Sequence, residues 1–125
     1  MSQKSKKPEQ KLIFSTNDPQ SRVVSLTTST WDHIKDHPEI KRVGLHRVKN
    51  IVVNPLYIIY NEPRSALTYT DYTGSSLFIN VFAKMDDNLK EAYISTAYLT
   101  TTMPHGEVIW QKQPQKKKKK RKKSK

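Results

Sequence analysis

Two histidines stand four residues apart in this 125-residue chain, His33 and His37, within the segment TWDHIKDHPEI at residues 30–40. In a helix that spacing puts both imidazoles on one face, about 5–6 Å apart at Cβ. Trp31, Ile34 and Pro38 group on another side at 100° per residue. Imidazole can take or give a proton near neutral pH, so the pair suits general acid–base work. The same residues also fit a helix junction ahead of Pro38, or a solvated face. A zinc site lacks a third ligand: Glu39 is adjacent rather than correctly spaced, and His46 and His105 are remote. No metal and no cofactor are expected. The absence of cysteine excludes disulfides, thiolate catalysis and cysteine-ligated metal.

Phosphate chemistry has candidate residues further along. In LFINVFAK, residues 77–84, Leu77, Ile79, Val81 and Ala83 share one strand face, and Phe78, Asn80, Phe82 and Lys84 share the other. The first set reads as core. The second mixes aromatics, an amide and a cation, which suits a surface that stacks bases and holds phosphate. Lys84 fits a solvated strand end equally well. In the following strand Ile94, Thr96, Tyr98 and Thr100 alternate with Tyr93, Ser95, Ala97 and Leu99. Thr96 and Tyr98 can donate to a phosphate or be ordinary exposed strand residues. Tyr69 and Tyr72, with Arg64 at the preceding turn, extend that surface.

These residues need elements to position them. The first ten residues are polar and Lys-rich, which predicts a disordered basic arm over 1–10. Lys11–Ser15 reads as an edge strand and Arg22–Thr27 as a strand. Thr28, Ser29 and Thr30 offer N-cap hydroxyls for a helix over 29–37. Pro38 ends that helix and opens a second, which Glu39 favours and whose apolar stripe (Ile40, Val43, Val48, Ile51, Val52) runs to about Val52. Leu56–Tyr60, Ala66–Tyr72, Leu77–Lys84 and Ala92–Thr100 read as strands, and Glu107–Gln111 as a short last one after Pro104-His105-Gly106. The expected fold is α+β: two N-terminal helices packed on a four- to five-stranded antiparallel sheet, with one compact domain over 11–112.

The net charge of +12 belongs to the ends. Residues 116–125 carry nine positive charges and residues 1–11 carry a net of three, whereas residues 12–115 hold ten basic and ten acidic side chains. The polybasic tail over 113–125, including Lys117, Lys119 and Arg121, is expected to stay extended and to bind phosphate backbones in a salt-sensitive manner. Anionic lipid and nuclear import are other destinations for such a run, and a plain solubilising extension is the bland alternative. The N-terminus has no apolar leader, and no stretch approaches the ~18 apolar residues of a membrane span, so a cytoplasmic protein is expected.

Three segments taken in order, across residues 22–111, resemble one superfamily. TWDHIKDHPEI looks like its helix with a His-x-x-x-His-Pro-Glu ending. LFINVFAK looks like its apolar strand with a basic end, and YISTAYLTTTMPHGEVIW like its Thr-Ala-Tyr strand, Gly turn and closing Trp. The chain in this respect resembles the barnase/EndoU/colicin/RelE-like (BECR fold) nucleases, the phage-associated branch in particular.

The resemblance implies a metal-independent endoribonuclease, a toxin or phage-associated effector. Such an enzyme cleaves tRNA or rRNA by attack of the ribose 2′-hydroxyl on the neighbouring phosphorus, and it has an antitoxin or immunity protein as a possible partner. Carried over by position, His33 is base or acid and His37 the second such group, or a structural one. Lys84 faces the phosphorane and Thr96 positions the phosphate. Arg42, His46, Arg64, Tyr69, Asn80 and Tyr98 are candidates for substrate binding. The alternatives are a non-catalytic nucleic-acid-binding module tethered by its polybasic tail, and a membrane-surface or partner-binding protein using that tail.

Overall fold

The computed structural model describes residues 11–73, 76–86 and 90–112. The N-terminal arm 1–10 and the tail residues Lys117, Lys119 and Arg121 lie outside them.

The sheet is larger than expected and is mixed. Its strands are β1 (Leu12–Asn17), β2 (Val23–Thr27), β3 (Tyr57–Asn61), β4 (Ala66–Tyr72), β5 (Phe78–Met85), β6 (Glu91–Thr100) and β7 (Glu107–Gln111). They lie in the order β1-β2-β6-β5-β4-β3-β7. All neighbours are antiparallel except β2 and β6, whose parallel register places Val23 opposite Glu91 and Ser25 opposite Tyr93. A four- to five-stranded antiparallel sheet is therefore overturned. The β1–β2 hairpin adds two strands, and it joins the meander through β6 instead of through a chain neighbour.

The helical layer also departs from two helices. Helix α1 (Thr28–Ile34) is capped by the Thr27 hydroxyl, which accepts from the Thr30 amide at 3.3 Å. It stops before His37, whose extended backbone (φ −84°, ψ 116°) makes it the N-cap of α2 (Pro38–Val43). Gly44, at φ 90°, then divides the expected second helix, and α3 (Leu45–Val53) follows. No atom lies within 4 Å of a Cβ built on Gly44, so the position needs glycine for its left-handed backbone and not for space. Among the described residues, no helix is long and apolar enough to cross a membrane.

All three helices cover one sheet face. Ile34, Ile40, Val48, Ile51 and Val52 bury against Val24, Leu26, Ile58, Leu67, Tyr69, Val81 and Ala83. Burying such side chains contributes roughly 1.5–3 kcal/mol each before the entropy of ordering is subtracted. Helix α3 touches β1 at one end of the sheet and also β4 and β5 near its middle, so the sheet wraps around it. A buried polar contact ties the wrap: the Tyr69 hydroxyl on β4 donates to Asp18 Oδ2, just past β1, at 2.7 Å. Asp18 also accepts from the Gln20 and Arg22 amides and from the Arg22 guanidinium at 2.9 Å.

A bulge decides which side chains of β6 face away from the helices. Phe82 pairs with Thr96 but Ala83 pairs with Ile94, so Ser95 is the extra residue. Simple alternation puts Ile94 with Thr96, Tyr98 and Thr100. The bulge instead sends Ile94 into the core and turns Tyr93 onto the face that holds Thr96, Tyr98 and Thr100.

Candidate functional site

The face without helices carries Phe78, Asn80, Phe82 and Lys84 from β5, Thr68, Thr70 and Tyr72 from β4, and Tyr93, Thr96, Tyr98 and Thr100 from β6. Part of it is roofed by the β6–β7 link. Strand β6 ends with Thr100 opposite Phe78, at one end of the sheet, whereas β7 starts with Glu107 opposite Tyr60, at the other. Residues 101–106 must therefore cross the sheet diagonally. That crossing accounts for the burial of Ile59, Thr68, Thr70 and Asn80 on a face that has no helix.

Two contacts hold the crossing down. At its start, the Thr70 hydroxyl donates to Asn80 Oδ1 at 2.9 Å, and Asn80 Nδ2 donates to Thr100 Oγ1 at 2.9 Å. The Thr100 hydroxyl in turn donates to the Thr102 carbonyl at 2.6 Å. At its end, Gly106 has φ 136°, and a Cβ there would stand 2.5 Å from the Tyr60 carbonyl oxygen. Only glycine allows both that backbone and that approach.

Beside the crossing lies a cleft of about 350 Å³, lined by Asn61, Arg64, Thr68, Phe82, Tyr98, Thr100 and the link residues Thr102, Met103, Pro104 and His105. Among the described residues, its lining contains hydroxyls, one guanidinium and one imidazole, and no carboxylate. Arg64 comes from a 3-10 turn, Glu62–Arg64, whose amide end is capped by the Asn61 side chain at 3.2 Å. Its guanidinium sits over the Phe82 ring, 5.9 Å from the centroid, and among the described residues it forms no ion pair. Burial raises the Tyr98 phenol above its ordinary value of 10.0, with Arg64 opposing the rise, so Tyr98 is a protonated donor at neutral pH. A positive, donor-rich pocket with an aromatic floor is suited to a phosphate attached to a ring.

The structure separates the sequence-derived candidates into two layers. His33, His37, Arg42 and His46 are exposed in the helical layer, on the opposite side of the sheet from Lys84 and Thr96. His33 and His37 do not share a helix, and neither do Arg42 and His46. Tyr69 faces the helices and is fully buried, with its hydroxyl held by Asp18, so it does not line the open face. Asn80 faces the open side but is also fully buried and holds Thr100. Arg64 and Tyr98 line the cleft, and Lys84 and Thr96 lie beside it on the same face.

The residue that sequence reading passed over is His105. The signal was the Pro-His-Gly turn directly after a hydroxyl-rich strand, but Arg64, which lines the same cleft, is 41 positions earlier, and the crossing link brings the two there. Among the described residues, no group of three or more His, Asp or Glu side chains could hold a metal. Comparison of the chain with protein-family models, with curated proteins and with solved structures finds no match.

Proposed function

We propose that the chain is a cytoplasmic endoribonuclease that cleaves RNA by transesterification in the Arg64–Tyr98–His105 cleft. The observation that carries this reading is the convergence of a guanidinium, a protonated phenol, an imidazole and an aromatic ring in one cleft, with no ion pair to the guanidinium and no lining carboxylate among the described residues. The resemblance of the strand and turn segments to the barnase/EndoU/colicin/RelE-like nucleases supports the same chemistry.

In this mechanism His105 removes the proton of the ribose 2′-hydroxyl, whose oxygen attacks the adjacent phosphorus. Arg64 stabilises the added charge of the phosphorane, with the Thr102 hydroxyl also lining the cleft. The bond from phosphorus to the 5′-oxygen breaks, and Tyr98 gives that alkoxide its proton. An alkoxide is a stronger base than a phenolate, so the transfer is downhill even from a phenol whose pKa is raised. The products are a 2′,3′-cyclic phosphate and a free 5′-hydroxyl. His105 then returns its proton to Tyr98 through solvent. The nine positive charges of residues 116–125 hold RNA near the neutral domain.

The test is end-group analysis of tRNA and ribosomal RNA incubated with the full chain in excess EDTA. Fragments ending in 2′,3′-cyclic phosphate support the reading. RNA that is retained but intact points instead to a nucleic-acid-binding module without the chemistry.

A further inference from the structure

The open face does not end at the cleft. Toward β2 it continues past Phe82 and Thr96 to the next pair on that side, Lys84 and Tyr93, which lie opposite each other and are both exposed. Tyr93 is 46% exposed, a large apolar surface to leave in water, and it faces this way only because of the Ser95 bulge. Lys84 forms no ion pair among the described residues. Two residues along a strand span about 6.6 Å, close to one step of an extended single-stranded nucleic acid. The track is bounded: Glu91, two residues further from the cleft on the same strand side, accepts the Tyr93 hydroxyl at 3.0 Å and puts negative charge at its far end.

We propose that Lys84, Tyr93 and Thr96 form a flanking subsite for one nucleotide next to the scissile step, so that the substrate is single-stranded RNA. This rests on the reading of the cleft as the phosphate site. The Tyr93 ring stacks on the flanking base, Lys84 meets its phosphate, and Thr96 lines the passage between subsite and cleft. Stacking needs a base splayed out of any helix, which a duplex does not offer. The arrangement also gives the bulge a role, since a regular β6 would bury Tyr93 against the helices and expose Ile94.

The experiment measures binding of the full chain to uncleavable 2′-deoxy oligonucleotides, a dinucleotide and a tetranucleotide, at fixed salt. The basic tail is the same in every variant and cancels from the comparison. The tetranucleotide is expected to bind about tenfold more tightly relative to the dinucleotide than it does in Tyr93→Leu or Lys84→Gln, with dinucleotide affinity unchanged in Tyr93→Leu. An unchanged length gain in both variants overturns the subsite. Arg64→Ala separates the two claims: dinucleotide affinity indifferent to Arg64 overturns the cleft reading, whereas dinucleotide affinity that depends on Arg64 with a length gain indifferent to Tyr93 and Lys84 overturns the subsite alone.

Discussion

The Arg64 guanidinium lies over the Phe82 ring, 5.9 Å from its centroid, although one side chain comes from the 3-10 turn between β3 and β4 and the other from β5, the strand beside β4. The contact orients a charge that no carboxylate among the described residues pairs with. A lysine at this position keeps the charge but loses the planar fork and the stacking. Arg64→Lys should therefore lower RNA cleavage about tenfold with little change in Tm, because Arg64 is exposed. Melting and initial-rate measurements on the same preparation check both halves.

Arg64 also holds the Tyr98 phenol below where burial alone would put it. Removing the guanidinium should move Tyr98 ionisation to still higher pH. An absorbance titration of Arg64→Ala against the parent, with Tyr98→Phe to assign the signal, reads the direction. A downward movement would contradict the placement of Arg64 beside Tyr98.

Gly106 ties the end of the crossing link to β3. In Gly106→Ala the new methyl would meet the Tyr60 carbonyl at 2.5 Å from a backbone that L-residues rarely adopt. The link must shift, taking His105 with it. Cleavage should fall by at least tenfold, while the far-UV spectrum stays that of a folded sheet. Wild-type rates in this variant would mean that the position of the link does not matter.

Asn80→Asp replaces the two amide donors with acceptors, facing the Thr100 hydroxyl and the Tyr98 carbonyl. The side chain is fully buried, so the lost pairing should cost about 1–3 kcal/mol and should loosen the link at Thr100. Denaturant unfolding measures the cost. Asn80 is then a positioning residue: its effect on cleavage should track the stability of the link.

The Tyr69–Asp18 contact has a pH signature. Burial, followed by the Asp18 bond, raises the Tyr69 pKa well above 10.0. The folded state then holds the Tyr69 proton more tightly than the unfolded chain does. Its stabilising contribution is complete below about pH 10 and is lost as pH rises beyond that, at up to ~1.4 kcal/mol per pH unit. The fall in Tm between neutral pH and pH 11 should be shallower in Tyr69→Phe, which at neutral pH should be less stable by about 1.5–3 kcal/mol.

Local signals in the chain carried much of the fold. Alternation in β5 separated the face of Ile79, Val81 and Ala83 from that of Phe78, Asn80, Phe82 and Lys84, and Pro38 marked a true helix start. Three features had no local signal. The Ser95 bulge sits in a run of strand-compatible residues, where one extra residue leaves no mark on composition. The parallel pairing of β2 with β6 joins residues nearly 70 positions apart through side chains that would suit an antiparallel neighbour equally well. The link over 101–106 looks like a hairpin turn until the register shows that its ends lie at opposite ends of the sheet. The single helix expected to carry both His33 and His37 is absent for a local reason: the 35–37 turn breaks it before His37. The candidate cleft was therefore half legible, with Arg64 and Tyr98 visible as surface donors and the approach of His105 to them hidden by topology.

The most direct test sets the two faces of the sheet against each other. RNA cleavage in excess EDTA is measured for the full chain, for His105→Ala and for His33→Ala, with a melting curve for each. The cleft account predicts a loss of at least a hundredfold in His105→Ala at unchanged Tm, and parent-like rates in His33→Ala. Cleavage that survives in His105→Ala and disappears in His33→Ala would move the chemistry to the helical layer and contradict the account.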